Sequence, residues 1–390
     1  MTRARWPAVR LGDVLEPLKT TEAILAPASE RFATIKLYGK GIVERSITSG
    51  KTPRPFTGYR LAAGELVYSR IDARHGAFAL VPRALSGCVV SKDFPHFALR
   101  AHRLDADYLR FIVTSPTFYR RIAAMSFGAT NRQRMGEDAF LALQIPLPPI
   151  DEQRRIAALL DQVDELRAKR RRTLALLEDL RESKIHQVVL RHGDAARPLA
   201  QVVPSISSGK SLVAGAAKAH PTARVLKISA VTTGQFRAAE SKPLPESYVP
   251  PRSHLVHSGD LLVSRANTAD LVGAAAVVRD EVSALYLPDK LWRLDVKSVS
   301  DKIYLWAILS SRPVRRRLSA LATGSGGSMK NLSQKVFLEQ LLPWPSVEQR
   351  AALVRIVDEI EASKSSARGH LAKLDELFAS LQHRAFTGQL

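Results

Sequence analysis

The sequence predicts a mixed α/β (α+β) fold: two globular domains separated by two long antiparallel coiled-coil helices, arranged as a pseudo-twofold internal duplication. Three observations carry that prediction. The chain repeats itself at an offset of about 196 residues, two segments have the apolar spacing of long helices, and the charge is partitioned between the repeats. The domains run 1–150 and 191–345, with the helices over 151–190 and 346–390.

The first block contains short apolar runs bounded by Gly, Pro and Asp, such as Glu65–Ser69 and Ala77–Val81, which read as strands. Ala106–Phe127 has the 3.6-residue spacing of a helix. From Asp151 to Val189 there is neither Pro nor Gly, and Ile156, Leu160, Val163, Leu174 and Leu177 form one stripe. At 1.5 Å per residue such a helix is about 58 Å long. The second block repeats the pattern with a strand at Leu261–Ser264 and a helix over Asp301–Ala322. Ser346 and Gln349 form a capping box that starts the last helix. Its stripe is Leu353, Val357, Ile360, Leu371, Leu374, Phe378 and Leu381. Both stripes lose their large apolar side chains midway, at Arg167 and Arg170 and again at Lys364 and Ala367, and the charged ones could set register as in coiled coils.

The repeat is visible residue by residue. An offset of 196 aligns Pro149, Glu152, Gln153 and Arg154 with Pro345, Glu348, Gln349 and Arg350. It also aligns Tyr108-Leu109 with Tyr304-Leu305, Ser115 with Ser311, Arg120-Arg121 with Arg316-Arg317, and Gly128 with Gly324. An offset of 195 aligns Gly64-Glu65-Leu66 and Ser69-Arg70 with Gly259-Asp260-Leu261 and Ser264-Arg265. The drift indicates a few short insertions.

The 390 residues include 58 Lys+Arg against 37 Asp+Glu, a net charge of +21. Residues 1–150 hold 22 basic and 12 acidic side chains, and residues 191–345 hold 21 and 11. The helical segments are nearly neutral, at 9 against 8 and 6 against 6. Two equally basic blocks suit a polyanionic partner better than a diffuse solubility charge does. A 45% hydrophobic content excludes disorder over most of the length. The one cysteine, Cys88, excludes a disulfide scaffold and is expected in the core. No apolar run is long enough for a transmembrane helix, and the N-terminus lacks the apolar core of a secretory signal. The expected setting is cytoplasmic, with no membrane partner.

No catalytic or metal constellation emerges. Ser49-Gly50-Lys51-Thr52 and Ser208-Gly209-Lys210-Ser211 lack the earlier glycine of a phosphate-binding loop, because Arg45 and Pro204 stand there. Gly324-Ser325-Gly326-Gly327 is not a dinucleotide fingerprint, and no cofactor loop of a methyltransferase is present. Pro288-Asp289 with Asp295-Val296-Lys297 superficially resembles a Mg2+-dependent nuclease site, but the first repeat has no second acid there. His254 and His257 lack accompanying ligands. Two readings therefore compete with a DNA-reading module: a self-sufficient or fused nuclease, and a coiled-coil scaffold that binds DNA without sequence preference.

Candidate DNA contacts are the side chains that can reach base edges or phosphates in matched loops. They are Ser69, Arg70, Arg74, Asn131, Arg132, Gln133 and Arg134 in the first block. In the second they are Ser264, Arg265, Asn267, Thr268, Ser328, Lys330 and Asn331. Residues after the two Ser-Arg pairs diverge, which suits two blocks reading different sequences. Two linked readers on a stiff spacer gain affinity through raised effective concentration on a two-part target.

The chain resembles the specificity (S, HsdS-type) subunit of type I restriction–modification systems. The resemblance rests on Ile145-Pro146-Leu147-Pro148-Pro149-Ile150-Asp151-Glu152-Gln153-Arg154, its partner Leu342-Pro343-Trp344-Pro345-Ser346-Val347-Glu348-Gln349-Arg350, and the closing Arg384-Ala385-Phe386-Thr387-Gly388-Gln389-Leu390. Trp344 departs from the middle proline of the first motif. The resemblance implies a non-catalytic bacterial or archaeal subunit with two target recognition domains, each reading half of a bipartite site in double-stranded DNA. It also implies docking of two modification methyltransferase (M) subunits on the helices, with Glu152, Gln153, Arg154, Glu348, Gln349 and Arg350 as candidate contacts. ATP-driven restriction (R) subunits join that core. S-adenosylmethionine, ATP and Mg2+ then belong to the partners and not to this chain.

Overall fold

The computed structural model describes residues 6–47, 53–125, 134–191, 195–210, 219–324 and 329–390. It is a mixed α/β chain of two compact units: Met1–Arg171 with Gly369–Leu390, and Arg172–Arg368. Each unit therefore holds one basic block and one half of each long helix.

Each unit has its own central sheet, and the two have the same strand arrangement. In the first, the strand order is Leu15–Leu18, His96–Leu99, Leu66–Tyr68, Phe78–Leu80, all antiparallel. In the second it is Ser205–Ser208, Leu291–Asp295, Leu261–Ser264, Ala275–Val277, again antiparallel. The runs Leu66–Tyr68 and Leu261–Ser264 are apolar without alternation because both faces are covered. Leu66 and Tyr68 enter one core cluster and Val67 another; Leu261 and Val263 likewise separate from Leu262. Cys88 is fully buried in the cluster around Val67. Gly64 and Gly259, at the turn before these strands, have φ of +86° and +82°, so the glycine pair in the repeat marks a left-handed turn.

Each expected block helix is split in two. Ala106–Val113 is followed by Pro116–Met125, and Val299–Ser310 by Arg312–Leu321. The break falls at Ser115 and Ser311, whose hydroxyls both donate 2.7 Å hydrogen bonds to the carbonyls of Ile112 and Ile308. Proline follows each within two residues and cannot donate to the preceding turn. The smooth apolar spacing hides this break because both halves bury the same face. Tyr108 and Tyr304 tie the first half to the block's edge strand, their hydroxyls donating to Pro146 O and Pro343 O at 2.9 and 2.8 Å.

The long helices run Ile150–Arg191 and Val347–Phe386. The capping box is formed: Ser346 N–H donates to Gln349 Oε1 at 3.1 Å, and Gln349 N–H to Ser346 Oγ at 3.4 Å. Within the second unit the two halves are antiparallel, since Glu178 meets Lys364 while Arg181 meets Glu361. Midway polar positions are ionic nodes. In the first unit Arg167 bonds Asp375 and Asp164, each at 2.6 Å, and its guanidinium lies 4.3 Å from the Phe378 ring centre. In the second, Lys364 bonds Glu178 and Glu361, each at 2.6 Å.

These nodes correct the repeat register. Ile156, Leu160 and Val163 correspond to Leu353, Val357 and Ile360, and Asp164 and Arg167 to Glu361 and Lys364, at an offset of 197. The Glu-Gln-Arg strings that align at 196 are therefore one residue out of structural register. Burial, not the local string, decides which residue faces inward.

Candidate nucleic-acid interface

The Ser-Arg pairs occupy the same place in both units. Arg70 N–H donates to Asp93 O at 2.9 Å, and its carbonyl accepts Met135 N–H at 2.8 Å. Arg265 N–H donates to Lys290 O at 3.1 Å, and its carbonyl accepts Leu332 N–H at 2.8 Å. The strand end is thus pinned between two loops. In the first unit this brings Arg70 and Arg134 together with Lys92 and Asp93. In the second it joins Arg265 to the paired segments Ala266–Asn267 and Lys330–Asn331. Candidates some 60 residues apart in the chain meet at one spot in each unit.

The side chains divide into fasteners and exposed groups. Ser69 and Ser264 are buried: Ser69 Oγ accepts Asp72 N–H at 3.2 Å, and Ser264 Oγ donates to Ala266 O at 3.3 Å. These hydroxyls hold the strand ends and face no solvent. Arg70 and Arg265 are half-buried, and their Nε–H groups donate to the matched carbonyls of Lys92 (3.4 Å) and Asp289 (2.9 Å). Arg70 also pairs with Glu137, and Arg134 with Asp93. Arg134, Thr268 and Asn331 are exposed; Arg74, Asn267 and Lys330 are partly so. Asn267 Oδ1 accepts Thr268 N–H at 2.9 Å, and Lys330 Nζ donates to Ser319 O at 3.5 Å. Asn131, Arg132, Gln133 and Ser328 lie outside the described residues.

Two lysines outside the Ser-Arg motif join the cluster. Lys92 is exposed and Lys290 partly exposed, on the loops that receive the Ser-Arg backbone. The correspondence of Lys92-Asp93 with Asp289-Lys290 in the two repeats marks these positions in the sequence. Asp289 offers its carbonyl to Arg265, and Asp295 accepts the Ser205 hydroxyl at 3.1 Å. Among the described residues no group of three or more His, Cys, Asp or Glu side chains is placed to hold a metal ion. No described helix is long and apolar enough to cross a membrane.

Residues 4–178 match the family model of the type I restriction modification DNA specificity domain. The type I restriction enzyme EcoKI specificity subunit of Escherichia coli strain K12 is 26% identical over 302 residues, covering 71% of this chain and 64% of its own length. The chain thus spans slightly under two thirds of that relative. The type I restriction–modification S subunit from M. genitalium has a similar fold, with a TM-score of 0.58 at 14% identity, covering 99% of this chain and 97% of that one. A chain from a study of complex assembly and conformational transition in the type I R-M system has a TM-score of 0.54 at 20% identity, covering 99% and 98%. The second unit, beyond the matched residues, shares the sheet order and the pinned Ser-Arg end of the first.

The helix starts of the first unit and its repeat contain anchors that the motif alone does not distinguish from surface residues. Gln153 is fully buried; its Oε1 accepts Asp105 N–H at 2.9 Å, and its amide donates to Arg103 O (2.9 Å) and Pro148 O (2.8 Å). At the structurally equivalent position stands Arg350, buried, bonding Asp301 at 2.8 Å and Pro345 O at 2.6 Å. Its guanidinium lies 4.6 Å from the Trp344 ring, which packs edge-on against Tyr304. Trp344 thus does fill the helix start where the first motif has proline. Gln153 and Arg350 spend their polar groups inside the chain and offer none to a partner. Arg154, Glu348 and Gln349 are exposed, and Glu152 is tied to Arg155 at 2.6 Å, whose hydrogen bond holds its carboxyl below the ordinary range.

Proposed function

We propose that this chain is the specificity subunit of a type I restriction–modification complex, a non-catalytic DNA-binding protein. Each unit reads one half of a bipartite target in double-stranded DNA. The single observation that carries this reading is the same pinned strand end in both units, bordered by basic loops whose remaining residues differ. Arg70, Arg74 and Arg134 with Lys92 form the first contact cluster, and Arg265, Asn267, Thr268, Lys330 and Asn331 with Lys290 the second. The loop residues 131–133 and 328 extend these clusters in sequence. Arginine, lysine and asparagine supply both phosphate neutralisation and base-edge hydrogen bonds.

The long helices dock two methyltransferase (M) subunits, and restriction (R) subunits complete the assembly. Leu166, Leu176, Leu180, Ile356 and Leu377 are large apolar side chains left exposed on these helices, which suits a partner surface. Exposed Arg154, Glu348 and Gln349 with Glu152 border the helix starts. S-adenosylmethionine, ATP and Mg2+ act in the partner subunits, in the cytoplasm of the host cell.

The test is to map methylated motifs in cells carrying this chain with its M subunit, then exchange residues 1–150 for the matching block of another such subunit. One half of the motif is expected to change while the other stays. A change in both halves, or none, would overturn the reading. Cleavage of DNA by the purified chain with Mg2+, abolished by Asp289→Ala, would establish the nuclease alternative instead.

A further inference from the structure

The second unit contains a polar cavity of about 300 Å³. That volume is at the lower end of small-molecule sites, about 300–1,000 Å³. The two ionic nodes correspond position by position: Asp164, Arg167 and Asp375 match Glu361, Lys364 and Glu178. The next inward position differs. Where the first unit has Phe378 beneath the Arg167 guanidinium, the second has Arg181, only 6% exposed.

Arg181 bonds Glu178 at 2.6 Å and approaches Glu182 and Glu361 at 3.5 and 3.8 Å, but its Nε–H has no partner. Ser310, on the same cavity wall, likewise has a buried hydroxyl without a partner. Arg315 enters from the helix Arg312–Leu321. Its guanidinium is held by the carbonyls of Val272 (2.6 Å) and Asp270 (2.8 Å) and meets no carboxylate. Arg368 completes the wall, also without an ion pair. Glu178 and Glu361 are already engaged by Lys364 and Arg181, and Glu361 also by Gln235 at 3.4 Å. Arg181 keeps one donor unused although Glu178, Glu182 and Glu361 surround it, and Arg315 is held by carbonyls alone. Buried donors without an acceptor are costly, and a bound oxyanion supplies the acceptors.

We propose that this cavity binds a phosphate group: a small tetrahedral oxyanion bridging Arg181, Arg315 and Arg368, with the Ser310 hydroxyl as a further donor. The site is separate from the clusters assigned to base reading. It gives the second unit a ligand-dependent stability that the first lacks.

Titration calorimetry of the full chain with inorganic phosphate tests this. Saturable binding is expected, with a rise in the unfolding temperature. Arg181→Phe, which copies the first unit, and Arg368→Met should each weaken phosphate at least tenfold, whereas Arg134→Ala should not. Absence of saturable binding, wild-type affinity in both variants, or loss in Arg134→Ala alone would overturn the proposal. If Arg181→Phe fails to fold by circular dichroism, Arg368→Met, at a half-buried position, decides. A DNA duplex distinguishes the source of the phosphate. Displacement of phosphate by duplex, with weaker duplex binding in Arg368→Met, identifies a backbone phosphate; unchanged duplex binding identifies a free anion.

Discussion

His96 is buried against Tyr59, with a ring separation of 4.8 Å, and its Nδ1 has no partner. Burial lowers its pKa from the ordinary 6.5, against the opposing charge of Glu137. Below pH 6.5 the unfolded chain takes up protons that the folded state resists, so stability falls as the pH drops through that value. The equivalent strand position in the second unit is Arg293, which pairs with Leu262 as His96 pairs with Val67. His96→Leu is expected to flatten this dependence between pH 5 and 7, read as unfolding temperature against pH. Gln153 poses the opposite problem, because its three hydrogen bonds satisfy groups that water cannot reach. Gln153→Leu should cost about 1–3 kcal/mol in urea unfolding. Arg350→Met should cost a similar amount, because it leaves Asp301 without its buried partner.

The long helices are held as elements by caps and ionic nodes. Ser346→Ala removes the capping-box acceptor and should lower stability by about 1 kcal/mol. Lys364 is 5% exposed between Glu178 and Glu361, so Lys364→Met leaves two carboxylates uncompensated and is expected to cost about 3 kcal/mol. Lys364→Arg should be tolerated, because the first unit runs the same node with Arg167. Burial pushes the Glu178 carboxyl up, but the hydrogen bonds and charges of Lys364 and Arg181 outweigh it and leave the pKa below the ordinary 4.5. The stabilisation from this node is present above pH 4.5 and lost as acid titrates Glu178 through its lowered value. Thermal melts of wild type and Lys364→Arg across that range should show the same acid limb.

For the whole molecule, two basic blocks on nearly neutral helices imply DNA affinity that falls steeply with salt. Arg134→Ala and Lys330→Ala should each weaken binding and reduce the slope of log affinity against log salt by about one. A slope unchanged in both variants would remove these side chains from the phosphate contacts.

Much of this organisation was legible in the chain itself. The duplication, the long helices, the capping box, the Gly64 and Gly259 turns and the charge partition are local or periodic, so sequence spacing determines them. The split of each block helix was not, since Ser115-Pro116 and Ser311 interrupt hydrogen bonding without interrupting the apolar face. Nor was the fate of polar residues in the motifs. Gln153 and Gln349 look interchangeable, yet one is buried with three partners and the other caps a helix at the surface. Ser69 and Arg70 read alike as contacts, yet the hydroxyl is spent inside the strand end. The cavity around Arg181 was also invisible, because it depends on which side chain a helix turns inward against a neighbour distant in sequence. Sequence alone determined the repeat and its charge; only the tertiary structure decided which polar groups are consumed by burial and which remain free to bind.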